Sequence, residues 1–449
     1  MIFTKDRSFY KSLFLLALPI ALQNLLTFSV TLTDSLMIGQ LGDSAVSGVY
    51  MGSQIQMLLQ VFTAGIEGAM LILSTQYWGK SDTDSIKKIT SIGLKFAFAF
   101  SVVVSVVCAI FPQFIISLFT HDTAIIESGS PYLRTISFSF PLFALTQGLI
   151  ASMRSVEKPK IGMLVSLSSL ITNATLNYLL IFGNLGFPAL GVLGAAIATL
   201  AARAIELTVI TIYVFFIDNR LHLKPCDLLS FDRPLLKDFI KYGLPIMAGQ
   251  LVWAVNTLFS SAIMGRQTAE GVVAALSLAN TLNALAYVVI NGMAGAVGII
   301  TGKTIGEGKL EKIREYAYTT EIIFIVVGII TGGALYLIKS PFISLYKISD
   351  GAASVAGTLI NVLSLTIIGT CYQAACLFGL VKSGGDVSFV FKTDCIFVLL
   401  LVIPSALVAT KLNALPWVVF LCLKSDQILK CIVAAIKINR FDWIKRLTD

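Results

Sequence analysis

Residues 12–37 read SLFLLALPIALQNLLTFSVTLTDSLM. One ionisable side chain, Asp34, interrupts the run. As a helix it would extend about 39 Å, more than the roughly 30 Å hydrocarbon core of a bilayer. A barrel strand would alternate apolar and polar positions, and this stretch does not. It predicts a transmembrane helix. Its polar positions are also ordered: Gln23, Thr27, Thr31 and Asp34 are 4, 4 and 3 apart and share one helical face.

The rest of the chain repeats this character. Of 449 residues, 56% are hydrophobic and 13% charged, against roughly 25% charged in a soluble protein. So few charges cannot cover a soluble surface, which excludes a cytosolic enzyme, a disordered regulator and a disulfide-built secreted domain. Twelve apolar runs follow one another, near 12–37, 46–76, 91–112, 131–153, 161–183, 190–217, 239–264, 271–301, 317–338, 353–381, 387–410 and 413–437. The expected class is an all-α integral membrane protein with twelve transmembrane helices. The first run follows Lys5, Arg7 and Lys11 but is too long for a signal peptide and lacks a small-residue cleavage site, so it is expected to be retained. The seven cysteines lack metal-ligand spacing and read as packing residues.

Loop charge orients the chain. Alternate loops on one side, with both termini, carry 24 Lys and Arg. The opposite loops carry Arg134, Arg266, Lys339, Lys347 and Lys411. Basic loops stay cytoplasmic, so both termini are expected in the cytoplasm of a multi-pass cell-membrane protein. The net charge of +8 then reports topology, and no nucleic-acid partner is implied.

The two halves resemble each other. Leu18-Pro19-Ile20 returns as Leu244-Pro245-Ile246, and Gly39 as Gly265. Six spans per half make the repeat parallel, with two six-helix bundles around a central cavity, an organisation suited to alternating access. The expected division is an N-terminal lobe (1–217), a cytoplasmic linker (218–238) and a C-terminal lobe (239–449) with a basic tail.

Polar groups inside the spans need an interior to face. Besides the first stripe, the second helix carries Gln56, Gln60, Thr63 and Glu67. The fifth places Asn173 and Asn177 one turn apart, and the eighth aligns Asn280, Asn283, Tyr287 and Asn291. Gln, Asn and Thr can serve as interhelical hydrogen-bonding groups. A carboxylate costs more, at least ~2.5–3.5 kcal/mol on insertion scales, so Asp34 is read as functional. Arg203 with Glu206, and Lys424 with Asp426 and Lys430, read as local pairs; Asp394 lies near the start of its span. Residues 302–309 (GKTIGEGK) imitate a phosphate loop, but Leu310 stands where Ser or Thr is required. Two histidines and no Cys/His cluster leave no metal centre and no catalytic set.

Several motifs, in order, resemble the multidrug and toxic compound extrusion (MATE) family. They are Leu18-Pro19-Ile20, Asp34-Ser35-Leu36-Met37-Ile38-Gly39-Gln40-Leu41-Gly42, Ser74-Thr75-Gln76-Tyr77-Trp78-Gly79, Arg154-Ser155-Val156-Glu157-Lys158-Pro159 and Lys382-Ser383-Gly384-Gly385-Asp386. The resemblance implies an antiporter exporting organic, often cationic and lipophilic compounds, driven by H⁺ or Na⁺ and without a cofactor. It points to the bacterial DNA-damage-inducible type. It places Asp34 and Asn173 at cation-coupling positions; Asn177 stands where many members have a second acid. The acid that some Na⁺-coupled members carry on the seventh helix falls near Trp253, so that carboxylate is missing. A lone desolvated carboxylate favours H⁺, with Na⁺ at Asp34 as the alternative. Gln23, Thr27, Thr31, Gln56, Gln60, Glu67, Asn280, Asn283, Tyr287 and Asn291 are the expected cavity residues for a small organic substrate. Two lobes in one chain suit a working monomer. A lipid-linked saccharide flippase of related fold is the alternative, and a membrane-embedded enzyme a more distant one.

Overall fold

The computed structural model describes residues 3–267, 271–346 and 348–448, apart from the side chains of Asp43 and Ser44. Lys347, counted above with the opposite loops, lies outside the described residues. All regular structure among the described residues is helical. The first half of the chain forms α1 (Arg7–Ile38), α2 (Asp43–Gly79), α3 (Thr83–Ile110), the short α4 (Pro112–Ser117), α5 (Thr123–Ser137), α6 (Ser139–Ser155), α7 (Lys160–Phe182) and α8 (Val192–Ile212). The second half forms α9 (Arg233–Gly265), α10 (Val272–Gly306), α11 (Leu310–Ser344), α12 (Asp350–Gln373), α13 (Val387–Phe397), α14 (Ile403–Lys411), α15 (Pro416–Leu423) and α16 (Asp426–Arg440).

Local chemistry sets the ends. Asp82 accepts from the Ser85 amide at the start of α3 and Asp122 from the Ala124 amide at the start of α5, satisfying donors that a helix leaves unpaired. α7 ends at Gly183, whose φ of +73° favours a residue without Cβ.

Among the described residues, ten helices are individually long and apolar enough to cross a bilayer, and the pair α5–α6, bent by 45°, makes an eleventh. π-helical stretches continue α12 through Ala374–Val381 and join α13 to α14 through Val398–Val402. The twelfth run, expected as one helix over 413–437, is instead broken at Lys424 and Ser425 into α15 and α16. Lys424 and Asp426 flank the break, and Lys430 follows one turn into α16, so the run is not apolar where it is interrupted.

The chain forms two compact units, Leu22–Gly243 (the N-terminal unit) and Met1–Ala21 with Leu244–Asp449 (the C-terminal unit). Both divisions fall inside helices, α1 and α9, beside the paired prolines Pro19 and Pro245. In the C-terminal unit, Phe9, Leu13, Leu16, Ala17 and Ile20 of α1 join the core with Ile290, Ala294 and Ile313. Asp6 pairs with Lys312 at 2.9 Å and accepts from the Tyr316 hydroxyl at 2.8 Å. In the N-terminal unit, Phe239 of α9 stacks on Phe96 with ring centroids 6.0 Å apart, and Asp232 meets Lys88 at 3.1 Å.

Small residues let helices approach closely. A Cβ on Gly48 would lie 2.7 Å from Ser128 Oγ on α5, and one on Gly328 would lie 2.9 Å from Ile368 Cα on α12. The Gly48/Gly52 and Gly328/Gly332 pairs are therefore packing positions.

Candidate functional site

Within the N-terminal unit, α1, α7 and α8 meet around Asp34. The 4-residue spacing of Asn173 and Asn177 stacks their amides on one face of α7, and both are fully buried. Asn177 Nδ2 donates to Asp34 Oδ1 at 2.5 Å and to Asn173 Oδ1 at 3.1 Å. Asn173 Nδ2 in turn donates to Thr199 Oγ1 on α8 at 3.3 Å. Asn177 Oδ1 is buried and has no hydrogen-bond partner among the described residues.

No cation lies within ion-pair distance of Asp34 among the described residues. Arg203 is within Coulombic reach of it, but its guanidinium is committed to Glu206, with contacts of 3.0 and 2.8 Å, and lies 4.8 Å above the Phe143 ring. Asp34 is half-buried, and a carboxylate given an amide donor but no ammonium is suited to take a mobile cation.

The other expected residues divide. Gln23 is buried and accepts from Arg154 Nη2 at 2.8 Å, and Glu67 lies within Coulombic reach of that arginine. Arg154, the first residue of the Arg154–Pro159 motif, is in the last turn of α6. Thr27 Oγ1 donates to the Gln23 carbonyl at 3.0 Å and approaches Ser166 Oγ at 3.5 Å. Thr31 donates to the Thr27 carbonyl and is exposed, as is Gln60, while Gln56 is half-buried. On α10 of the C-terminal unit, Asn280 and Asn291 are exposed and Asn283 and Tyr287 half-buried. The structure thus joins Asp34 to Asn173 and Asn177, and adds Thr199 and Arg154, which the sequence reading missed. One threonine in an apolar helix carries no signal by itself; the motif beginning at Arg154 carried one.

These features define a polytopic, helical membrane transporter with an unpaired acid inside one repeat. The MatE family model matches the chain twice, over residues 19–179 and 245–408, and the chain belongs to this family. The two matches begin at Pro19 and Pro245, the residues that align the internal repeat. The chain is 27% identical over 338 residues to a probable multidrug resistance protein NorM of Halalkalibacterium halodurans, covering 73% of this chain and 72% of the relative. It is 23% identical to the multidrug resistance protein MdtK of Photorhabdus laumondii, covering 88% and 86%. Among solved structures, a MOP superfamily transporter from Pyrococcus furiosus superposes with a TM-score of 0.87 at 19% identity, covering 98% of both chains. A Vibrio cholerae MATE transporter, VcmN, gives 0.88 at 16%, covering 96% and 97%. The fold is that of the MATE transporters, and the protein is a multi-pass membrane transporter rather than an enzyme.

Proposed function

We propose that the protein is a cation-coupled antiporter that exports organic, lipophilic cationic compounds by alternating access, with Asp34 as the coupling carboxylate and H⁺ as the driving ion. The observation that carries this reading is Asp34 bonded to Asn177 with no cation in ion-pair distance among the described residues. The carboxylate is neutralised by a proton taken from one side of the membrane, and its release on the other side resets the cycle. Asn173 and Thr199 hold Asn177 in place through the amide chain. The names of the relatives, multidrug resistance proteins, support small organic substrates. The loop charges support cytoplasmic termini.

One observation keeps Na⁺ as the second reading. The orphaned Asn177 Oδ1, with Asp34, Asn173 Oδ1 and Thr199 Oγ1, is a set of hard oxygens of the kind Na⁺ takes. A lipid-linked saccharide would need free cations, and three of the four intramembrane candidates have other partners: Arg203 holds Glu206, Lys430 holds Asp394 and Asp426, and Lys95 donates to the Ser230 carbonyl at 2.7 Å, while Lys424 lies 5.7 Å from the Phe420 ring.

The test is dye efflux from proteoliposomes under an imposed H⁺ or Na⁺ gradient. Wild-type protein is expected to respond to H⁺, and Asp34→Asn, still folded, to lose the response. Full gradient-driven efflux by that variant would end the assignment.

A further inference from the structure

The C-terminal unit has its own buried charged centre. Lys430 Nζ lies 2.8 Å from Asp394 Oδ1 on α13 and 3.0 Å from Asp426 Oδ2 on its own helix, α16. The side chains of Lys430, Asp426 and Asp394 are 6, 4 and 16% exposed. One ammonium therefore faces two carboxylates, and a surplus negative charge away from water is costly unless something neutralises it.

The two carboxylates are not equivalent. Asp426 accepts from Lys430 and, with both oxygens, from Gln427 Nε2 at 3.2 and 3.1 Å. Gln427 is itself fixed, since its Oε1 accepts from Thr370 Oγ1 at 3.0 Å and from Gln373 Nε2. Asp394 accepts from Lys430 alone among the described residues. The other charged or titratable groups in Coulombic reach are Lys382 and Cys395 for Asp394, and Tyr287, Lys424 and Cys431 for Asp426. The Lys430 ammonium also sits 6.0 Å from the Phe397 ring.

The surrounding backbone is irregular at three places. Asp394 precedes the π-helical stretch Val398–Val402, Gln373 precedes that of Ala374–Val381, and Asp426 opens α16 directly after the break at Lys424 and Ser425. π-helical turns and broken membrane helices concentrate at functional sites because their backbone has more than one arrangement.

We propose that Asp394 is a second proton-exchanging group and that its protonation makes or breaks the bridge between α13 and α16. A proton from water adds to a carboxylate oxygen of Asp394. The charge-assisted bond from Lys430 to Asp394 is lost, Lys430 keeps its proton and its bond to Asp426, and the centre passes from one net negative charge to none. The bridge across helices opens while the pair within α16 stays closed. This inference rests on the reading of the chain as a cation-coupled antiporter, in which a proton-dependent helix contact has a role in the cycle.

The experiment is an equilibrium infrared titration of the purified full-length protein in lipid, following the carbonyl stretch of protonated carboxyl groups as pH is lowered. Wild type is expected to show one component that Asp34→Asn removes and a second that Asp394→Asn removes. A spectrum in which Asp394→Asn removes no component overturns the proposal. If that variant does not fold, Asp394→Glu replaces it: the second component is expected to shift in frequency, and an unshifted component overturns the proposal. The titration needs no gradient, so it is read separately from the efflux assay. Failure of Asp34→Asn to stop efflux would sink the coupling assignment and leave the Asp394 result to stand or fall alone.

Discussion

The two units hold acids in different company. In the N-terminal unit Asp34 meets an amide, Asn177, and no ammonium among the described residues; in the C-terminal unit Asp394 and Asp426 share Lys430. An amide stabilises a carboxylate without cancelling its charge, whereas a tethered ammonium cancels one charge and fixes geometry. One unit thus holds an acid facing an amide, and the other holds two acids tied to one ammonium that joins α13 to α16. The largest expected effect follows from the acid that faces an amide. Asp34→Asn strands no cation, so the variant should remain folded while gradient-driven efflux falls to the level of empty liposomes. A thermal melt beside the flux assay checks both halves of that statement.

The shared lysine predicts the opposite outcome. Lys430→Met leaves two buried carboxylates without their ammonium, and breaking a buried pair in this way costs about 3–5 kcal/mol. The loss should appear as a lower melting temperature in detergent and should shrink on acidification, because protonated acids no longer repel. Adding Asp394→Asn and Asp426→Asn to the same chain should restore much of the stability. A Lys430→Met protein as stable as wild type would remove the contrast between the two centres.

The supporting amides should matter less. Thr199→Val removes the acceptor for Asn173, and hydrogen bonds between membrane helices average about 0.6 kcal/mol. Efflux rate at a fixed gradient should fall about threefold, with the pH profile displaced and the protein otherwise stable. A loss as deep as that of Asp34→Asn would mean that Thr199 binds the cation itself.

Much of the N-terminal centre could be read before the structure. Asp34 is conspicuous because it is alone in an apolar run, and Asn173 and Asn177 because their spacing fixes a shared face. Thr199 is one hydroxyl among many, and only the packing of α7 on α8 selects it. The C-terminal centre was half legible. Asp426 and Lys430 are one turn apart and read as a pair, but Asp394 is 36 residues from Lys430 and their meeting depends on tertiary packing. The repeat and the spans follow from composition and offset. The position of the divisions inside α1 and α9 does not, because loop composition points to 218–238 while core contacts decide which unit each half-helix joins.

The smallest expected effect lies outside the spans and sharpens the comparison from another side. Asp386, between the twelfth and thirteenth helices, sits between two ammoniums, Lys437 and Lys445, each 2.8 Å away. Lys437 also meets Asp442 at 2.8 Å, so two acids face two bases here, whereas in the Lys430 centre two acids share one base. Burial pushes the Asp386 carboxyl up, but the hydrogen bonds from Lys437 and Lys445 outweigh it and hold the group below the usual carboxylate range. A folded value below the unfolded one means that the contribution is complete above the ordinary carboxylate value and is lost as pH falls through the lowered one. The segment so held is the chain's end: Trp443 is fully buried, a Cβ on Gly384 would collide with its ring, and the Lys445 amide donates to the Gly384 carbonyl at 2.8 Å. Neutral and mildly acidic buffers should therefore leave the tail docked, and only stronger acid should expose it to carboxypeptidase. Asp386→Asn should make the tail digestible at neutral pH without changing the efflux that depends on Asp34. If digestion instead began in the mildly acidic range in wild type, the carboxylate would not be held by its two lysines.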